Sequence, residues 1–542
     1  MSSRKPAAAN SKAVTVKDAT FGLLRAFGIK KVFGNPGSTE LPFLSDWPDD
    51  IDYVLGLQES SVVGMADGYA QATRNAGFVN LHSAAGVGHA LGNVFNAYRN
   101  QTPLVITAGQ QARSILPLQP FLYAERATEF PQPYVKWAVE PARPEDVPGA
   151  IARAYYIAMQ PPCGPTFVSV PVDDWNRPTQ PVEAREISRE IGPDPAAMKA
   201  LVAALADSKH PALVVGPAVD RAQAVDLMIE VAEKTKALVW ASPFSARCSF
   251  PERHPQFAGF LHASPGQLSE ALRGHDLVVV IGAPVFTFHV EGHASIFDGA
   301  TALFQITDDP NAASFTPVGN SIIGTMKPSL ATLLELLPET RRAVPAGRAL
   351  SPVPAPGDPI PAEFLMHSLV AAMGPHDVLV EEAPSHRLAM QKFMPMRGQD
   401  SFYTMASGGL GYSLPAAVGM ALGRTGCRVV CLIGDGSAMY SIQALWTAAQ
   451  RKLPMTVVVI NNSGYGAMRS FSQVMQVHNV PGLELPDIDF VKIAEGMGCQ
   501  AVRVTKAAEL PSALKRGLTH DGTSLVEVVV DSAVPLLYTQ KG

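Results

Sequence analysis

Toward the C-terminus the chain reads Arg428-Val-Val-Cys-Leu-Ile-Gly434-Asp435-Gly436-Ser437, and later Met455-Thr-Val-Val-Val-Ile-Asn461-Asn462-Ser463-Gly464. Each run is an apolar strand ending in polar residues: a carboxylate between glycines in the first, a pair of amides in the second. The amphipathic stretch 441–450 between them completes a βαβ unit, whose strands lie parallel and usually adjacent. Asp435 and Asn462 then meet at the carboxyl ends of the strands, where open α/β sheets bind ligands. A carboxylate, an amide oxygen and the Gly464 carbonyl suit a hard cation of the Mg²⁺ kind, which completes its octahedron with phosphate oxygens and water. The glycines let the backbone approach a diphosphate closely.

Near the N-terminus three polar residues also stand at strand ends. Val32-Phe33-Gly34 runs into Asn35-Pro36-Gly37-Ser38-Thr39, Tyr53–Leu57 ends in Gln58-Glu59 before a helical stretch from Ser60 to Thr73, and Phe78–Leu81 ends in His82. Taken singly, Ser38 is a turn residue, Glu59 a carboxylate favoured by a helix dipole and His82 a core histidine. Taken together they form a convergent polar cluster. Two near-motifs carry less. Gly86, Gly88 and Gly92 follow a strand, but the last glycine is one place late and no acid stands near Ala108, so a dinucleotide site is not expected. Tight helix–strand packing is the expected reason for these glycines. His289-Val-Glu291-Gly-His293 is HxExH rather than HExxH, which excludes a zinc protease reading.

Glu59 followed by Gly64-Met65-Ala66-Asp67-Gly68-Tyr69-Ala70 resembles the pyrimidine-binding domain of the thiamine-diphosphate-dependent 2-keto acid decarboxylase family. The Gly434-Asp435-Gly436 and Asn461-Asn462 pair resembles that family's diphosphate motif, and Gly408 to Ala417 resembles its segment beneath the thiazolium. The strings Val32–Ser38, Asn80–Gly86, Thr107–Gln111, Val170–Trp175, Ile281–Phe286 and Ala444–Gln450 resemble the benzoylformate decarboxylase branch. No adjacent His-His pair occurs in the first block, unlike pyruvate decarboxylases. The likeness spans essentially the whole chain.

The resemblance implies thiamine diphosphate and Mg²⁺ as cofactors and non-oxidative decarboxylation of an aryl, benzoylformate-like 2-keto acid to an aldehyde and CO₂. Another carbon–carbon lyase or carboligase activity, benzaldehyde lyase-like or acting on aliphatic 2-keto acids, is the alternative on the same scaffold. It implies that Glu59 bonds the aminopyrimidine ring nitrogen, and that Leu410 props the cofactor in its bent form. Gly434, Asp435, Gly436, Ser437, Asn462, Gly464, Tyr465 and Ser385 would hold the diphosphate end, with Asp435, Asn462 and Gly464 on the metal. Ser38 would bind the substrate carboxylate, His82 would polarise the keto oxygen, and His289 would protonate the carbon that CO₂ leaves. Phe121, Leu122, Thr404, Met468 and Phe471 fall at pocket-lining positions. The loop Glu381-Glu382-Ala383-Pro384-Ser385-His386 departs from the family's run of hydroxyls, so Ser385 or His386 must compensate for Pro384, which has no N–H. A site shared between subunits is implied, with a homodimer as the minimum and a homotetramer as the expected state.

The elements that position these residues read as three α/β blocks. Pro-rich polar stretches at 176–195 and 339–363 lack helix or strand periodicity and mark linkers. Short apolar strands alternate with helical segments throughout, which implies parallel sheets covered by helices. The expected architecture is α/β, with three doubly wound parallel-sheet domains: a pyrimidine-binding domain at 13–180, a Rossmann-like middle domain at 196–338, and a diphosphate- and Mg-binding domain at 364–535, after a flexible tail at 1–12. In 542 residues, 47% are hydrophobic and 17% charged, with a net charge of −5. That balance supplies ample core and no basic footprint, so nucleic acid is not an expected partner. No apolar run approaches the roughly 18 residues of a membrane span, the start lacks a secretory h-region, and five scattered cysteines read as reduced thiols. A cytoplasmic enzyme is expected.

Overall fold

The computed structural model describes residues 14–292 and 301–537. The expected tail at 1–12 and His293 lie outside them. Two compact units divide the chain, one ending at Ser188 and one beginning at Arg189.

The first unit holds one six-stranded sheet, whose order across the sheet is Asp52–Leu55, Lys31–Gly34, Gly77–Leu81, Leu104–Gln110, Pro165–Pro171, Ala138–Val139, all parallel. In chain order this is 2-1-3-4-6-5. The second unit holds two more six-stranded sheets. One runs Phe257–Phe260, Leu238–Ala241, Pro211–Val215, Leu277–Ile281, Ala302–Thr307, Asn320–Ile323, an order of 3-2-1-4-5-6. The other runs Phe402–Thr404, Val378–Glu382, Val429–Gly434, Met455–Asn461, Ser524–Val529, Gln500–Val504, which repeats the 2-1-3-4-6-5 order of the first. Both sheets of the second unit are also wholly parallel.

The apolar runs are strands because both their faces are covered. Val429 to Ile433 are all fully buried, as are Leu277 to Ile281. Each such Val, Ile or Leu contributes about 1.5–3 kcal/mol, so the ends of these strands are rigid platforms. The order 2-1-3 creates a switch point between the first and third strands of a sheet, and the crevice there is where ligands bind. In the first sheet that crevice lies between the strands leading to Ser38 and to His82, with Glu59 after the next strand. In the third sheet it lies between the strands leading to Ser385 and to Asp435, with Asn462 after the next strand. Two sheets of the same order thus present polar residues at the same topological place.

Three expectations change. Glu381 and Glu382, read as part of a loop, belong to the strand Val378–Glu382, and both are fully buried. The stretch 176–195, read as without strand periodicity, holds the short strand Pro178–Thr179, which pairs antiparallel with Val14–Thr15. Tight packing does not explain Gly92, since a Cβ there would meet nothing within 4 Å. Within the stretch 339–363, Ala362 and Glu363 open the helix Ala362–Ala372 and Ile360 bridges to Val530; the rest lacks regular elements, yet it is strapped down. The Arg342 guanidinium donates to the carbonyls of Leu205, Ser208 and Thr235, and Gly347 and Arg348 donate from their backbone to Pro255 and Phe257. None of the five cysteines is in a disulfide among the described residues, and no helix among them is long and apolar enough to cross a membrane.

Candidate functional site

In the first unit the cluster is built around a residue that spacing alone did not single out. Glu40, almost fully buried, accepts the His82 Nδ1–H at 2.9 Å, the Thr39 hydroxyl at 2.6 Å and the backbone N–H groups of Gly37 and Gly109, each at 3.0 Å. The Thr39 hydroxyl also lies 3.1 Å from His82 Nδ1. With a carboxylate on Nδ1, the neutral ring keeps its proton there and leaves Nε2 as the acceptor. Gly37 is required at this point, because a Cβ would run into the His82 ring. Ser83, the next residue, takes a left-handed φ of 46°, a conformation that costs a non-glycine residue energy and clusters at functional sites. Its hydroxyl donates to the Leu122 carbonyl at 2.7 Å, which ties that pocket candidate to the histidine. Phe121 beside it is almost wholly exposed.

Glu59 opens the helix Glu59–Thr73, whose N-cap is Gln58. Asn35 donates to one of its carboxylate oxygens at 3.3 Å and His89 Nδ1 lies 3.2 Å from the other. A Cβ on Gly86 would come within ordinary van der Waals distance of both His82 and Glu59, so the two side chains flank this glycine. Ser38 is exposed at the turn. The first sheet therefore gathers Ser38, Glu59 and His82 at one edge, as the strand ends dictate. Glu40 was legible only as an acid two places after Ser38, a weak signal.

In the second unit Asp435 is 3% exposed and its carboxylate takes N–H bonds from Gly436 at 2.7 Å and Gly464 at 3.0 Å. Burial raises its pKa, and those N–H donors pull it down. Asn462 is equally buried, and among the described residues its Nδ2 has no partner. Ser463 follows with a left-handed φ of 56°. Ser385 Oγ accepts the Ala467 N–H at 2.9 Å. A Cβ on Gly466 would stand 2.6 Å from Asn462 Nδ2 and 2.9 Å from Ser385 Oγ, so the missing side chain leaves a cradle lined by both. The Gly464 carbonyl accepts the Gly466 N–H at 3.0 Å, and Tyr465 packs over Gly436. A buried carboxylate, an amide without a partner and a hydroxyl around a side-chain-free turn fit a diphosphate with a hard cation. Ser437 is buried on the turn and Gly434 ends its strand.

The support beneath this turn comes from Glu382. Its carboxylate accepts the N–H groups of Gly411, Tyr412 and Ser413 at 2.7–2.9 Å, which fixes the chain directly after Leu410. Burial pushes this acid up to about 7 against the pull of those three donors. His386 does not compensate for Pro384 as a cation. It is buried, neither ring nitrogen has a partner among the described residues, and burial lowers its pKa to about 4.

His289 packs its ring 5.0 Å from Phe471 and 5.8 Å from Phe244, and its N–H donates to the Ala263 carbonyl at 2.9 Å. Phe471 lies on the helix Gly466–Val474 that springs from the cradle, so His289 and Phe471 stand together beside it. Met468, on the same helix, is half-exposed. Thr404 is buried in its strand, its hydroxyl donating to the Glu381 carbonyl at 2.8 Å and accepting from Arg387 at 3.1 Å.

Residues 14–129, 198–333 and 382–528 match family models described as the N-terminal TPP binding domain, the central domain and the C-terminal TPP binding domain of thiamine pyrophosphate enzymes. The chain is 42% identical over 527 residues to a benzoylformate decarboxylase of Pseudomonas aeruginosa, covering 96% of this chain and all of the relative. Among solved structures it is similar to benzoylformate decarboxylase from Polynucleobacter necessarius (TM-score 0.93, 43% identity, 96% of this chain and 99% of that one). It is also similar to the thiamine diphosphate-dependent 4-hydroxybenzoylformate decarboxylase of Rhodococcus jostii RHA1 (TM-score 0.93, 41% identity, 96% of this chain and all of that one).

Proposed function

Because this chain belongs to the thiamine pyrophosphate enzyme family, we propose that it decarboxylates an aryl 2-keto acid of the benzoylformate type. The carboxylate carbon leaves as CO₂, the keto carbon gains a proton, and an aryl aldehyde is released. The observation that carries this reading is the His289 ring packed against Phe471, on the helix that begins at Gly466, which supports an imidazole and an aromatic ring acting together on the element that leaves the cradle.

Bound thiamine diphosphate supplies the nucleophilic carbon and the electron sink that decarboxylation needs. Asp435, Asn462 and the Gly464 carbonyl would hold Mg²⁺, and Ser385, Gly434, Gly436, Ser437 and Tyr465 the diphosphate end. Leu410, on the segment fixed by Glu382, would press on the cofactor from below. Glu59 would hold a proton at the pyrimidine ring nitrogen. The Ser38 hydroxyl would orient the substrate carboxylate, without binding it so firmly that CO₂ loss is opposed. His82, with Nδ1 committed to Glu40, would use Nε2 on the keto oxygen. His289 would deliver a proton to the carbon that CO₂ has left. The ring would lie among Phe121, Leu122, Met468 and Phe471, with Thr404 supporting from its strand.

We assign domain limits of 13–180, 196–338 and 364–535, and a cytoplasmic homotetramer built on a dimer in which Glu59 of one subunit serves the cradle of the other. Product analysis with benzoylformate, pyruvate and benzoin, with thiamine diphosphate and Mg²⁺ added, tests the reading. Benzaldehyde and CO₂ from benzoylformate are expected; preferred turnover of pyruvate or benzoin would overturn it.

A further inference from the structure

A cavity of about 90 Å³ lies in the second unit, next to His289. Its wall includes Phe244 and Ala263, two of the residues His289 touches, and Pro384 and Arg387 on either side of Ser385. Leu537 closes it, with its N–H on Ser470 Oγ at 2.9 Å, one residue before Phe471. The cavity is therefore bounded by the same segments that carry the proposed substrate and cofactor residues. Its size limits what enters. An apolar cavity of about 150 Å³ takes up benzene, so this smaller one suits a ring substituent rather than a ring.

Arg387 supplies the polarity. One guanidinium nitrogen, Nη2, donates to the Thr404 hydroxyl at 3.1 Å and forms an ion pair with Glu381 Oε2 at 2.6 Å. Among the described residues no acceptor takes Nε or Nη1, while a guanidinium offers five N–H donors in a rigid fork. The fully buried Glu381 already balances the charge of Arg387. A second carboxylate there would face Glu381 with no further cation to offset it. The other arginine in the wall, Arg247, is paired with Asp220 at 2.8 Å. Glu252, also in the wall, accepts the Met396 N–H and has Arg348 at 3.5 Å, and burial favours its neutral form. An uncharged oxygen acceptor meets donors here without that repulsion.

We propose that this cavity is the subsite for a ring substituent, that it receives an uncharged oxygen substituent such as a phenol or aryl ether, and that Arg387 donates to it. The proposal rests on the aryl 2-keto acid reading. Steady-state kinetics of the cofactor-loaded enzyme would compare benzoylformate with its 4-hydroxy, 4-methoxy and 4-carboxy derivatives. Since Arg387→Met alone strands the buried Glu381 carboxylate, the test variant is the pair Glu381→Gln with Arg387→Met, with Arg387→Lys as the charge-retaining control. The kcat/KM ratio of the 4-methoxy substrate over benzoylformate should fall about 10- to 100-fold in the paired variant, chiefly through KM, the scale of a lost charge-assisted hydrogen bond. Calorimetry with 4-methoxyphenylacetate and phenylacetate, which do not react, should show the same loss in relative affinity. A ratio unchanged within twofold in a variant that still turns over benzoylformate, or a wild-type preference for the 4-carboxy substrate, overturns the subsite alone. Failure of the wild type to decarboxylate any of the four overturns both readings.

Discussion

His82 and Glu59 differ in when their work begins, and that difference is measurable. Glu59 would act on the cofactor before substrate arrives, whereas His82, clamped by Glu40 and Thr39, would act only once a keto group is present. Glu59→Gln should slow H/D exchange at the cofactor's reactive carbon, followed by NMR with Mg²⁺ saturating. His82→Ala should leave exchange nearly intact and depress benzoylformate turnover by about 10²–10⁴-fold, the usual contribution of a general acid–base group. Loss of exchange in His82→Ala alone would reverse the two roles. A second residue-scale expectation concerns Glu252. Burial raises its pKa from 4.5 to about 8, so the native state keeps a proton that the unfolded chain releases. The stabilisation is complete below about pH 4.5 and is lost as pH rises through about 8. Thermal melts of Glu252→Gln should match wild type near pH 5 and exceed it at pH 9. A uniform deficit at every pH would show that the acid works as an ion, paired with Arg348.

At the scale of elements, the cradle depends on the strand-to-helix turn Asn461–Gly466 rather than on any one ligand. Both of its glycines hold space that a Cβ would fill: on Gly464 it would run into the Leu483 carbonyl, and on Gly466 into the space bordered by Asn462 and Ser385. Gly466→Ala should weaken thiamine diphosphate retention in Mg²⁺-titrated, EDTA-treated protein by at least tenfold while leaving the melting temperature of the cofactor-free chain within a few degrees. Asp435→Ala should weaken retention as well, since the diphosphate then lacks its metal. Retention at the wild-type level in either variant would remove the site from this turn.

For the whole molecule, the repeated 2-1-3-4-6-5 order means that one chain carries two matched crevices with different contents. One holds proton-handling groups, the other a diphosphate-type cradle. A dimer that pairs the first crevice of each subunit with the second crevice of the other predicts complementation. Mixing Glu59→Gln protein with Asp435→Ala protein under subunit exchange should restore part of the activity, because each mixed dimer regains one intact site. Proven exchange without recovery would confine each site to one subunit.

Much of this was legible in the sequence. Apolar runs buried on both faces identify parallel strands, and a polar residue directly after such a run must stand at the end of the sheet; Asp435, Asn462 and His82 follow from that rule alone, while Glu59 opens the helix after the partly exposed edge strand Asp52–Leu55. Edge strands such as Asn320–Ile323 and Gln500–Val504 escaped it, because an edge is half solvated and its residues are mixed. What only the tertiary structure decided are the second partners. Glu40 reaches His82 across 42 positions, Glu382 reaches Gly411 across 29, and Arg387 reaches Thr404 across 17. No local period encodes such pairs. They exist because a buried charged group must find donors or acceptors wherever the folded chain brings them.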